Sequence, residues 1–190
     1  ASDGVSWTRT GLAHAAGVST SVVDGLISQG IFETIFLPPP PVVAKPDPDF
    51  APSRLAGPQK EAADDILAEV RNGAFAVSLI DGVTGSGKTE VYFEAIAETL
   101  RRGKQVLILL PEIALTASFL ERFQDRFGAK PAEWHSDLAP KTREKVWRQA
   151  VTGEVRVVAG GGLGLFLPVE GFGLIIVGGE EDPSPQQEER

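Results

Sequence analysis

The sequence predicts an α/β fold: a parallel, doubly wound sheet preceded by a small, mainly helical unit. Three observations carry that expectation. From Ala74 onward, short apolar runs of strand length alternate with segments of helical spacing. Between the first such run, A-F-A-V-S-L-I-D (Ala74 to Asp81), and the helical stretch from Thr89 to Leu100 lies G-V-T-G-S-G-K-T, residues Gly82 to Thr89. Finally, the composition breaks abruptly between Pro38 and Pro58, which separates the first 37 residues from the rest.

Composition sets the limits. The 190 residues suit one or two domains and a sizeable core. A net charge of −8, from 18 Lys and Arg against 26 Asp and Glu, argues against a generally basic nucleic-acid coat but leaves room for a local basic groove. No cysteine is present, so the sequence offers no disulfide and no thiolate zinc site. It shows no apolar run of 18 residues and no charged-then-apolar leader pattern. A cytoplasmic location without a membrane is the expectation. Starting without Met and stopping soon after an apolar run, the chain is expected to be a piece of something longer.

In chain order, Thr8 to Ala16 forms a short helix stopped by Gly17, and a second helix capped by Ser19 or Thr20 carries Val22, Val23, Leu26 and Ile27. Gly30 ends it, and residues 31–37 alternate like a strand. The pattern L-A-x-A-A-G-V-S-x-S-V-V-x-x-L is that of a helix-turn-helix, and the strand suggests a winged helix over residues 1–37. Between Ser19 and Gln29 there is no Lys or Arg, so a structural or protein-docking role is favoured over base reading. His14 is a surface residue on this reading.

Four consecutive prolines, Pro38 to Pro41, open an extended, semi-rigid linker over residues 38–54. Next comes L-A-G-P-Q and an amphipathic helix from Lys60 to Arg71, with Gln59 at its start. A glutamine there can bond both hydrogen-bonding positions of an adenine edge, although Gln is also an ordinary surface residue.

G-V-T-G-S-G-K-T fits G-x-x-x-x-G-K-[ST] at every fixed position, a match expected by chance about once in tens of thousands of positions. Gly82, Val83, Thr84, Gly85, Ser86, Gly87, Lys88 and Thr89 are therefore the candidate ATP-binding residues. The glycines let backbone N–H groups turn inward, and the helix N-terminus adds its positive dipole end. Lys88 would reach the β- and γ-phosphates, and the Thr89 hydroxyl would ligate Mg²⁺. Beyond it, Val106 to Leu110, Trp134 to Ser136, Val155 to Ala159 and Leu174 to Val177 read as strands. Thr116 to Phe127 and the basic stretch from Lys141 to Gln149 read as helices. Ligand sites in such sheets lie at the carboxyl ends of the strands, where the loop, Pro111-Glu112 and Gly178-Gly179 all fall.

Taken together, G-V-T-G-S-G-K-T-E-V-Y, L-P-E-I-A-L-T, H-S-D-L, L-F-L-P and D-P-S resemble the PriA family of primosomal replication-restart DNA helicases, in superfamily 2. The resemblance covers nearly the whole chain. It implies a RecA-like lobe over residues 55–190, ATP with Mg²⁺ as cofactors, and 3′-to-5′ unwinding in a bacterial cytoplasm. It implies forked or single-stranded DNA, primosome proteins and single-strand-binding proteins as partners. Zinc is expected only in a cysteine-rich insertion beyond Arg190, followed by a second lobe. By position, Gln59 would contact adenine, while Pro111, Glu112 and Thr116 would lie along the DNA strand. Lys141, Arg143, Lys145 and Arg148 could add positive charge, or simply form a solvated helix face.

Two departures stand out. Where the family has Gly-Ala-Arg-Ser-Ala-Leu-Phe, this chain reads Gly160-Gly161-Gly162-Leu163-Gly164-Leu165-Phe166. Where it has Asp-Glu-Glu-His, this chain reads Gly178-Gly179-Glu180-Glu181. The catalytic set implied is then Lys88 with Glu180 and Glu181, the two carboxylates standing in from a shifted register. The expected activity is ATP-dependent helicase in the intact protein, with no turnover by this chain alone. The alternatives are a non-hydrolysing nucleotide-binding or interaction module, and a P-loop phosphotransferase, for which no acceptor pocket or arginine lid is evident.

Overall fold

A computed structural model describes residues 6–35, 40–83, 85–111, 116–167, 169 and 171–178. The chain divides into two compact units, residues 1–40 and 41–190.

In the first unit, helix α1 (Arg9–Ala15) begins where the Thr8 hydroxyl accepts from the Gly11 N–H at 3.0 Å. Gly17 at φ +64° ends it, and α2 (Thr20–Ser28) follows from Ser19 and is closed by Gly30 at φ +73°. Ala13 and Val23 are buried between the two helices. The strand expected over residues 31–37 is not there: residues 31–35 form none, and Phe36 and Leu37 lie outside the described residues. Alternation alone does not make a strand, because the backbone needs a partner ladder, and Ile31 and Ile35 stay exposed. The described part of this unit is a helix pair without a wing. His14 is exposed on α1.

The second unit is built on a four-stranded parallel sheet in the order β2-β3-β1-β4. Its strands are β1 (Gln105–Leu109), β2 (Ala132–Trp134), β3 (Val157–Gly160) and β4 (Phe172–Val177). The helices are α3 (Gly57–Asn72), α4 (Lys88–Arg101), α5 (Ala117–Phe127) and α6 (Pro140–Val151). The fully apolar stretch V-L-I-L can sit in β1 because both faces of the sheet are covered. On one face Val106, Ile108, Val157 and Ala159 meet Phe93 and Ile96 of α4 and Phe119, Phe123 and Phe127 of α5. On the other, Leu107, Leu109 and Val158 meet Val146 and Ala150 of α6. Register pairs Val106 with Val157 and Leu107 with Ile175. A Cβ at Gly160 would run into the carbonyl of Trp134, its partner across β2 and β3, so only glycine fits there. The α/β class with a parallel sheet is as the sequence predicts.

Two local expectations are corrected. Residues 41–54 are not a free spacer but a strap packed along the sheet unit. Val42 N–H donates to Gln149 Oε1 at 2.8 Å, Asp47 N–H to the Phe127 carbonyl at 2.9 Å, and Arg101 to Asp49 at 2.6 Å. Proline sequences lack donors but present carbonyls and apolar rings, and here Pro46 is buried and the Pro48 carbonyl accepts from Arg126. The strand expected over residues 74–81 is also absent. That segment pairs with nothing described, leaving Phe75, Val77 and Leu79 at 95, 84 and 91% exposure. The sheet instead ends at β4, whose Ile175 and Val177 are exposed in alternation.

Candidate nucleotide-binding site

The loop before α4 is shaped by two left-handed glycines, Gly85 at φ +77° and Gly87 at φ +83°. L-residues carrying a Cβ are strained in that region, so these positions require glycine if the loop is to turn as it does. The Ser86 N–H donates to the Val83 carbonyl at 3.1 Å, closing a tight turn. Gly87 then serves as N-cap of α4, a helix of 14 residues whose first N–H groups face the loop. The Lys88 ammonium donates to the Gly82 carbonyl at 2.5 Å, which brings the cation back over the loop. Helix dipole, inward N–H groups and a folded-back ammonium make a cradle for a phosphate chain.

Gln59 joins the same assembly from 27 residues away. At the third position of α3, its Oε1 accepts from the Ala56 N–H at 2.9 Å and its Nε2 donates to the Ser86 carbonyl at 2.8 Å. A Cβ on Gly87 would collide with this amide, so Gly87 is fixed by close approach as well as by φ. Gln59 thus holds the loop, and its amide is engaged there.

Around Thr89 lies a set of contacts that sequence spacing does not reveal. The Thr89 and Tyr92 hydroxyls are hydrogen-bonded, and Glu90 pairs with Arg122 of α5 at 2.5 Å. Burial holds the Tyr92 phenol above its usual 10.0, against the opposing Thr89 hydrogen bond and the nearby Arg122. A threonine hydroxyl has two lone pairs, so whichever partner donates in the bond to Tyr92, at least one is left for a cation. The only advance signal of this set was an acidic residue, Glu90, in the first turn of α4.

Other expected site residues fare differently. Thr84, Glu112, Glu180 and Glu181 lie outside the described residues. Pro111 follows the carboxyl end of β1, next to Leu110, whose N–H donates to the Gly160 carbonyl at 2.9 Å. Thr116 caps α5, its hydroxyl accepting from the Phe119 N–H at 3.3 Å. Gly178 closes β4 with its N–H on the Leu109 carbonyl at 2.8 Å, and a Cβ there would press on the Leu110 side chain. Among the described residues no cluster of three His, Cys, Asp or Glu side chains gathers to hold a metal, so Thr89 is the one described candidate ligand for Mg²⁺. No described helix is long and apolar enough to cross a membrane.

Comparison with known proteins bears on the same region. The family model for DEAD/DEAH box helicases matches residues 57–168, from the start of α3 past β3. Replication restart protein PriA of Chlamydia pneumoniae is 35% identical over 94% of this chain and 24% of its own length. The protein of the same name from Bacillus subtilis is 34% identical over 98% of this chain and 24% of its own. That from Rickettsia felis is 42% identical over 71% of this chain and 20% of its own. The chain therefore spans about a quarter or less of these relatives. The parallel α/β sheet is consistent with the RecA-like domain of such helicases. With a glycine-shaped phosphate cradle at the head of α4 and a family model covering it, this chain belongs to the DEAD/DEAH box helicase family and is similar to one segment of the replication restart proteins PriA.

Proposed function

We propose that this chain is the nucleotide-binding part of the first motor lobe of a DNA helicase that moves 3′ to 5′ and acts in replication restart. The observation that carries this is the loop from Gly82 to Thr89, where two left-handed glycines, the α4 N-terminus and the returning Lys88 ammonium come together. On this reading ATP lies with its phosphates in the loop, and Gln59 serves the adenine side. The Thr89 hydroxyl would hold Mg²⁺, which would supply charge neutralisation to the phosphate chain. Pro111, Glu112 and Thr116 follow the DNA strand. The partners are forked or single-stranded DNA, primosome proteins and single-strand-binding proteins in a bacterial cytoplasm. Residues 1–37 form a separate small unit built on the α1–α2 helix pair, and residues 55–190 form the partial lobe. Affinity for DNA resides mainly outside that first unit, whose α2 carries no cation.

A second reading has its own observation. The family's Asp-Glu pair is replaced by Gly178-Gly179, and Gly178 sits at the carboxyl end of β4 with no side chain to offer a metal. The chain alone then binds nucleotide without turning it over, since hydrolysis needs a fixed metal, an oriented water and a cation at the developing charge. Glu180 and Glu181 are the remaining candidates for those carboxylate duties.

Calorimetry of ATP and ADP binding to the wild-type chain and Lys88→Ala tests the site, with a marked loss of affinity expected for the variant. Equal affinities would exclude the loop. Single-strand-stimulated hydrolysis by the intact protein, compared with its Gly178→Asp, Gly179→Glu version, separates the two readings. A gain on restoring the carboxylates supports loss of turnover by glycine substitution, and no gain gives that role to Glu180 and Glu181.

A further inference from the structure

Away from the phosphate loop, the edge of the sheet carries a second concave surface. An open groove of about 460 Å³ is lined by Trp134, Pro140, Arg143, Glu144 and Trp147. Trp134 ends β2, partly buried against the core cluster that includes Val146 and Ala150 of α6, and Trp147 stands on α6 at 42% exposure. Pro140, Arg143, Glu144 and Trp147 follow helical spacing of 3, 4 and 7 residues, so they form one stripe of α6. Arg143 is pinned at its end, donating to the carbonyls of His135 at 3.3 Å and Ser136 at 2.6 Å.

The adjoining stripe, Lys141, Lys145 and Arg148, is cationic. Glu144 is the single acid on α6, and Arg148 pairs with it at 2.7 Å. Neither Lys141 nor Lys145 is in an ion pair with a described residue. A chain of net charge −8 thus concentrates four cations on one helix, beside two tryptophans. A lone exposed tryptophan is unremarkable on a surface, but this pairing of flat apolar faces with a stripe of three cations, one of them paired with Glu144, is complementary to a particular chemistry.

We propose that the groove between Trp134 and Trp147 binds single-stranded nucleic acid, with bases against the indole rings and the phosphate backbone along Lys141, Lys145 and Arg148. Aromatic platforms beside a basic track are how unpaired strands are held without sequence reading. A duplex does not fit this chemistry, because its base faces are already stacked on one another. An acidic peptide would use the cations but leave the indoles without planar partners. The proposal extends the DNA-motor reading, and its test needs no nucleotide. Failure here leaves ATP binding untouched, and Lys88→Ala is expected to keep the groove's affinity.

The test is tryptophan fluorescence of the 190-residue chain during titration with oligothymidylate, its hybridised duplex and polyglutamate. Quenching by the single strand is expected, weakened about 5- to 150-fold in Trp147→Ala and largely kept in Trp147→Phe. Lys141→Ala with Lys145→Ala should lower the slope of log affinity against log salt by about 1.4. Equal affinity of Trp147→Ala and wild type overturns the proposal, as does equal binding of duplex or of polyglutamate. Should Trp147→Ala not fold, photo-crosslinking of the wild-type chain to an iodouracil-containing strand decides. Adducts on Trp134 or Trp147 support the site, and adducts confined elsewhere refute it.

Discussion

Replacing Gly87 with alanine should damage the phosphate loop by two separable routes. The backbone at φ +83° costs an L-residue about 1–2 kcal/mol. The new Cβ also occupies the position of the Gln59 amide, so that side chain must let go of the Ser86 carbonyl. Losing one part-buried hydrogen bond adds about 1 kcal/mol. The total is about 2–3 kcal/mol, which at a urea dependence of about 2–3 kcal/mol per molar lowers the unfolding midpoint by about 1 M. A double-mutant cycle isolates the second route. In a Gln59→Ala background there is no amide to displace, so Gly87→Ala should cost only its backbone strain. The two substitutions together should then fall short of additivity by about 1 kcal/mol. The measurement is urea unfolding of the four proteins, followed by tryptophan fluorescence and circular dichroism. An identical cost of Gly87→Ala in both backgrounds would show that Gln59 does not brace the loop, and the role given to it here would fall.

Two further outcomes follow from the packing. The Arg126 side chain is 4% exposed, its guanidinium shared between Glu94 at 3.1 Å and the Pro48 carbonyl at 2.9 Å. Arg126→Ala should cost about 3–5 kcal/mol in urea unfolding, because the largely buried Glu94 loses its cation and keeps the Ser53 N–H. Arg126→Met combined with Glu94→Gln should cost less than Arg126→Ala alone, and a larger loss in the double variant would contradict this account. Tyr92 supplies a pH test. Its phenol titrates higher in the folded chain than in the unfolded one, so above about pH 10 the native state holds more protons and stability falls as pH rises. Tyr92→Phe should reduce the stability lost above about pH 10; an unchanged loss would assign it to other groups.

The sequence by itself determined whatever is local and repeated. Helices α4, α5 and α6 follow from apolar spacing, and α5 begins at Thr116, whose hydroxyl caps it. The buried strands β1 and β3 were legible because a stretch apolar on both faces has nowhere to go but the middle of a covered sheet. The phosphate loop was legible because its function rests on backbone shape, and backbone shape is written in its glycines. The family resemblance rested on the same contiguous motifs.

What only the tertiary structure decided involves partners distant in sequence. Residues 31–35 and 74–81 have strand-like patterns yet form no strand, since a ladder is a property of two segments and neither finds the second among the described residues. The proline-rich stretch became a strap because Gln149, Phe127 and Arg101 supply partners that no reading of the prolines foresees. Gln59 was flagged by its place at the start of a helix, but its bond to Ser86 appears only when α3 lies against α4. Trp134 and Trp147, unremarkable 13 positions apart, share a groove because β2 and α6 are packed together. In each case the deciding energy lies in a contact between residues far apart in the chain, and such contacts exist only once the fold has closed.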